Sequence, residues 1–93
     1  MKHHRYRVTV EYLSDAQSYS PLIFEANSHD EIFSIVELVQ ESEILEKEAA
    51  TAFVVGQKLF GEIIMENRGN PLFSEFWPHF LEFVKKLKGF VKK

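Results

Sequence analysis

Residues 4–13, HRYRVTVEYL, alternate: Tyr6, Val8, Val10 and Tyr12 point one way, and Arg5, Arg7, Thr9 and Glu11 point the other. A period of two over this length predicts a half-buried strand. Residues 14–20, SDAQSYS, read as a turn. Residues 21–26, PLIFEA, predict a second strand with Leu22, Phe24 and Ala26 on one face. Pairing Tyr12 with Leu22, Val10 with Phe24 and Val8 with Ala26 sets both apolar faces on the same side, with Arg7 diagonal to Glu25 on the other. Pro21 opens its strand, where a missing N–H matters least.

After Ala26 the period changes to that of a helix. Asn27 or Ser28 can cap, Ser28 and Glu31 have capping-box spacing, and Asp30 and Glu31 suit the positive end of a helix dipole. A first helix over about 29–41 buries Ile32, Ile35, Val36 and Val39. The second, about 46–67, carries Ala49, Phe53, Gly56, Phe60, Ile63 and Ile64 as its main stripe. Val54 and Met65 lie on one flank and Leu59 on the other, so only a strip with Lys58, Glu62 and Glu66 is left for water. That makes it the central helix, with close approach of another element expected at Gly56 and Gly61. Arg68-Gly69-Asn70-Pro71 ends it. A third helix over about 74–88 has Phe76, Phe80, Phe83, Val84 and Leu87 at core spacing, with Pro78 tolerated near its start. The expected fold is one α+β domain over 1–93: a two-stranded antiparallel hairpin, about 4–26, followed by three helices. A lone hairpin is marginal in water, so it must pack on them.

Composition sharpens this picture in three ways. Seven of the nine phenylalanines and the single tryptophan fall between residues 53 and 90, a concentration that suits packing or binding better than chemistry. The chain has no cysteine, hence neither a disulfide framework nor a thiolate site. With no apolar run near the ~20 residues of a membrane span, a cytoplasmic location is the expectation. The net charge of −3 is unevenly spread: residues 1–84 hold six Lys and Arg against all fourteen acids, a balance of −8, whereas residues 85–93 hold five Lys and no acid. A lysine-rich tail over 85–93 can complement the dipole of the last helix or contact phosphate.

The blocks HRYRVTVEYL (4–13), HDEIFSIVE (29–37), GQKLFGEIIMENRGNPLF (56–73) and FVKKLKG (83–89) resemble the bacterial Domain of Unknown Function 3861 family. The most specific parts are His4-Arg5-Tyr6-Arg7, Lys58-Leu59-Phe60-Gly61-Glu62 and Asn70-Pro71-Leu72-Phe73. The resemblance covers essentially the whole chain. It implies a small α+β domain and carries no activity or catalytic residue with it.

Reactive motifs are lacking in the sequence itself. His3, His4, His29 and His79 show no i,i+4 pair and no H-E-x-x-H, so spacing gives no metal site. His79, beside Phe80, is expected to be half-buried. Glu62 and Glu66 are one turn apart, as a solvated face would be, and no nucleophile elbow, phosphate loop or dinucleotide fingerprint occurs. The expectation is a non-enzyme without cofactor or metal: a protein-interaction or regulatory module, whose partner is an unknown protein or a second copy. Open strand edges make a homodimer one route to assembly. Leu72, Phe73, Trp77 and Leu81 lie beyond the third helix's main stripe and are the candidate protein contact, while Phe90 and Val91 follow in the tail. The alternative is an accessory nucleic-acid binder touching phosphate through Arg5, Arg7, Lys85, Lys86, Lys88, Lys92 and Lys93. Its acidic body and core-spaced aromatics argue against it. A small-molecule binder is a second alternative.

Overall fold

In the computed structural model, which describes residues 3–14 and 18–91, the chain runs β1 (His4–Val10), β2 (Leu22–Ser28), α1 (Ile32–Ser42), α2 (Lys47–Glu66), α3 (Pro71–Ser74) and α4 (Trp77–Val91). The strands form a two-stranded antiparallel sheet, and the fold is α+β. Four helices stand where three were expected, because the third splits. Asn70 caps α3, its side chain accepting from the Leu72 N–H at 2.9 Å, and Pro71 occupies the first helical position. Two turn residues intervene, and α4 restarts at Trp77 with Pro78 in its first turn.

The strand register differs from the expected one by two residues. Val10 faces Leu22, Val8 faces Phe24 and Tyr6 faces Ala26. A two-residue slip keeps every side chain on its face, which is why alternation alone does not separate the two registers. Glu25 lies directly opposite Arg7 and pairs with both Arg5 and Arg7, the second at 3.9 Å.

The start of α1 also departs from the sequence expectation. Neither Asn27 nor Ser28 caps it; both end β2. Glu31 is the cap, and its carboxylate accepts from the N–H groups of Phe33 at 2.9 Å and Ser34 at 3.1 Å. The Tyr6 hydroxyl accepts from the Ile32 N–H at 2.9 Å. Three orphan donors of the first turn are thereby satisfied, one of them by the hairpin. Ser28 is buried instead, and its Oγ accepts from the Asp30 N–H at 3.2 Å to shape the turn into α1. The helix ends at Glu43, the one described non-glycine residue with positive φ, at 61°.

Ile32, Val39, Ala50, Val54 and Val91 form the buried cluster, with Tyr6, Ile35, Val36, Phe53, Val55 and Leu87 packed around it. Helix α2 touches β2, α1 and α4. Its fully buried side is Ala50, Val54 and Ile64; Ile64 is buried as the expected stripe had it, whereas Phe60 and Ile63 of that stripe are about half exposed. At 100° per residue the buried side is rolled by about 90° from that stripe. Helix α4 buries Phe80 and Val91 and half-buries Trp77, Val84 and Leu87, a spacing of three and four. Phe76 and Phe83, assigned to the core by the sequence pattern, stay more than 40% exposed. Residues 85–91 are helix, not a tail, and Val91 belongs to the core; Lys92 and Lys93 lie outside the described residues. No helix among the described residues is long and apolar enough to cross a membrane.

Gly61 marks where α2 and α4 meet. A Cβ there would stand 2.7 Å from Phe80 Cζ, whereas at Gly56 and Gly89 nothing lies within 4 Å. Close approach thus explains Gly61 and not Gly56. Gly61→Ala forces the buried Phe80 ring to move among Phe60, Phe76 and Trp77. The overpacking cost of about 1–3 kcal/mol exceeds the helix gain of about 1 kcal/mol, so urea unfolding is expected to show a net loss. Gly89→Ala, with open space in a helix, is expected to gain up to about 1 kcal/mol in the same measurement. Equal effects at the two positions would mean that Phe80 does not press on Gly61.

Candidate functional site

Two clefts open on either side of the Gly61–Phe80 contact. The smaller, of about 180 Å³, lies between the β2–α1 junction, α2 and α4. Ser28, His29 and Asp30 supply one wall, Lys58 and Glu62 a second, and Trp77, Phe80, Leu81 and Val84 an apolar third. The roll of α2 carries Lys58 and Glu62 inward, correcting their expected place on a wet strip. Their side chains are only 16% and 10% exposed, while Glu66 remains exposed.

Each inward charge has a partner from the β2–α1 junction. Lys58 Nζ donates to Asp30 Oδ2 at 2.8 Å. That hydrogen bond, helped by the charges of Lys58, Lys88 and His29 and opposed by partial burial, holds the Asp30 carboxyl below the usual aspartate range. Glu31 is lowered as well, through its bonds to Ser34 and to the Phe33 N–H. His29 Nδ1 lies 3.1 Å from Glu62 Oε1, and the His3 ring packs against that of His29 with centroids 4.4 Å apart. Glu62 Oε2 is buried without a hydrogen-bond partner.

The larger cleft, of about 610 Å³, is an aromatic groove between α2 and α4, walled by Phe53, Phe60, Phe76, Phe80 and Phe83 with Gly56 among its residues. Phe60, Phe76 and Phe80 form a mutual cluster with centroids 6.0–6.2 Å apart, and Phe53 meets Phe83 edge to face at 6.2 Å. His79, expected half-buried, is exposed and lines this groove.

The sequence-derived contact residues divide. Trp77 and Leu81 meet on the wall of the polar cleft, Trp77 stacked on Phe80 and covered by the Arg68 guanidinium at 5.7 Å. Leu72 and Phe73 sit on α3 and line neither cleft; Leu72 is 76% exposed. Of the proposed phosphate contacts, Arg5 and Arg7 engage Glu25, Lys88 acts on Asp30, and Lys85 and Lys86 are exposed on α4. Sequence spacing missed the His3–His29–Glu62 group and the open aromatic face. The register held the signal for the first: one step beyond the His4–Ser28 pair, His3 comes opposite His29.

Residues 4–89 match the family described as a Domain of Unknown Function with solved structure, DUF3861. A crystal structure of a protein of unknown function from Pectobacterium atrosepticum is similar to this chain. The identity is 39%, the alignment covers 95% of this chain and 99% of that one, and the TM-score is 0.86. No curated protein matches.

Proposed function

We propose that this chain, which belongs to the DUF3861 family, is a non-catalytic interaction module that works as a homodimer closed over its aromatic groove. The observation that carries this reading is surface area. The chain exposes 7500 Å². A folded single-chain protein of 10.9 kDa ordinarily exposes about 5,600 Å². Its radius of gyration is 15.2 Å, against about 12 Å for a typical domain of this length. The excess is about 1,900 Å² per chain, or about 3,800 Å² for two copies, within the roughly 2,000–5,000 Å² of obligate homodimers.

The excess is not spread evenly. Phe60, Phe76 and Phe83 are each more than 40% exposed along one groove, and Val10, Leu22, Ile23 and Phe24 are equally open on the hairpin. Exposed apolar groups in a contiguous patch mark an interaction surface. A second copy is the fitting occupant, because a groove lined almost wholly by rings needs an apolar partner surface of like extent, and the same chain provides one by two-fold symmetry. Gly56, with empty space above its Cα, leaves room for that partner's side chains. The phosphate-binding alternative has less to stand on, since the hairpin arginines are engaged by Glu25.

Sedimentation equilibrium on the purified chain tests the reading. Twice the chain mass at low micromolar concentration is expected. A single-chain mass at tens of micromolar ends the proposal, and small apolar ligands for the groove become the next candidates.

A further inference from the structure

We propose that His3, His29 and Glu62 form a binding site for one borderline divalent cation, with Zn²⁺ as the reference ion. Each residue offers one ligand atom, and these atoms all lie within 4.8 Å of one another. His29 Nδ1 and Glu62 Oε1 are already 3.1 Å apart. Bonds of about 2.0–2.1 Å in a tetrahedral site put neighbouring ligand atoms about 3.4 Å apart. One edge of the tetrahedron therefore stands nearly at its final length, and the remaining closure falls to His3, which precedes the first strand and moves without disturbing the ladder.

The independent observation is the Glu62 carboxylate. Its side chain is nine-tenths buried, yet Oε2 has no hydrogen-bond donor. Leaving a buried carboxylate oxygen unpaired costs free energy that a histidine contact at the other oxygen does not recover. A cation held by both oxygens of the Glu62 carboxylate and by the two imidazoles supplies the partner that Oε2 lacks. The donor set, two imidazoles and one carboxylate, suits Zn²⁺ and its borderline neighbours better than Mg²⁺ or Ca²⁺, which prefer an all-oxygen shell. Lys58, the nearest cationic side chain on α2, is neutralised by Asp30 at 2.8 Å and so does not oppose the ion. Three protein ligands leave the fourth position to water from the cleft.

The test is calorimetric titration of the untagged full chain with Zn²⁺, paired with thermal unfolding. One equivalent per chain and a raised Tm are expected. Loss of an outer partner of a metal ligand costs about 10–100-fold in affinity, so loss of a ligand is expected to cost at least about tenfold. His3→Ala and Glu62→Gln should each show that loss, and Glu66→Gln, exposed one turn away on α2, should bind as the parent does. Should Glu62→Gln fail to fold, His3→Ala decides alone, because His3 lies outside both strands and all helices. No saturable uptake by the parent chain, or unchanged affinity in His3→Ala, overturns the site.

Discussion

Phe83→Glu is expected to separate the assembled protein into single chains. In one chain the Phe83 ring is nearly half exposed and meets Phe53 edge to face, so a glutamate there faces water and leaves the core intact. In a closed dimer the same carboxylate would lose its water among aromatic rings, with Gln57 and His79 the only polar side chains lining the groove among the described residues. Truncating an interface anchor costs about 2 kcal/mol or more, and an unpaired buried charge adds to that. A loss of at least about 3 kcal/mol, above a hundredfold in Kd, is expected. Sedimentation velocity over a concentration series reads it directly. Leu72→Glu, on the exposed part of α3, is expected to leave the mass unchanged. If Phe83→Glu sediments as the parent does, the groove is not the contact.

The second large effect lies within the single chain. Ile64 is fully buried, and Ile64→Ala removes three carbons from that site. Such substitutions cost about 2–5 kcal/mol, and for a domain of this length each kcal/mol moves Tm by about 4–8 °C. A fall of more than about 10 °C is expected in calorimetry at one fixed protein concentration, since dissociation and unfolding are linked in a dimer. Ile63→Ala, one residue away but half exposed, is expected to cost far less within the single chain. Comparable losses at the two positions would mean that the burial assigned to α2 is rolled.

These two neighbours show what can and cannot be read from the amino-acid order. The two strands, the first helix and the long second helix follow from period, caps and breakers, because those signals are local. The side of α2 that enters the core does not. The helix is apolar around most of its circumference, and the richest stripe, through Phe53, Gly56 and Phe60, borders the open groove. A pattern that ranks faces by hydrophobicity cannot tell a face buried within the chain from one left for a partner. The same blindness placed Glu62 and Lys58 in water, whereas the roll of α2 turns them toward His29 and Asp30. His3 and His29 were invisible as a pair because a period-two strand fixes faces and not register. Asn70 and Pro71 carried a readable start signal, yet a four-residue helix followed by a second start was beyond it.

Trp77 gives the chain a built-in optical reporter. It is the only tryptophan, and its indole has the Phe80 ring at 6.2 Å and the Arg68 guanidinium at 5.7 Å. One phenylalanine thus touches, at once, the fluorophore on α4, the ring cluster of the groove and the glycine where α2 comes nearest. Emission excited selectively from this single indole reports the docking of α4 on α2 without any label. Because Trp77 also walls the cleft that holds His29 and Glu62, the same colour and lifetime register events in the polar cleft and in the aromatic groove.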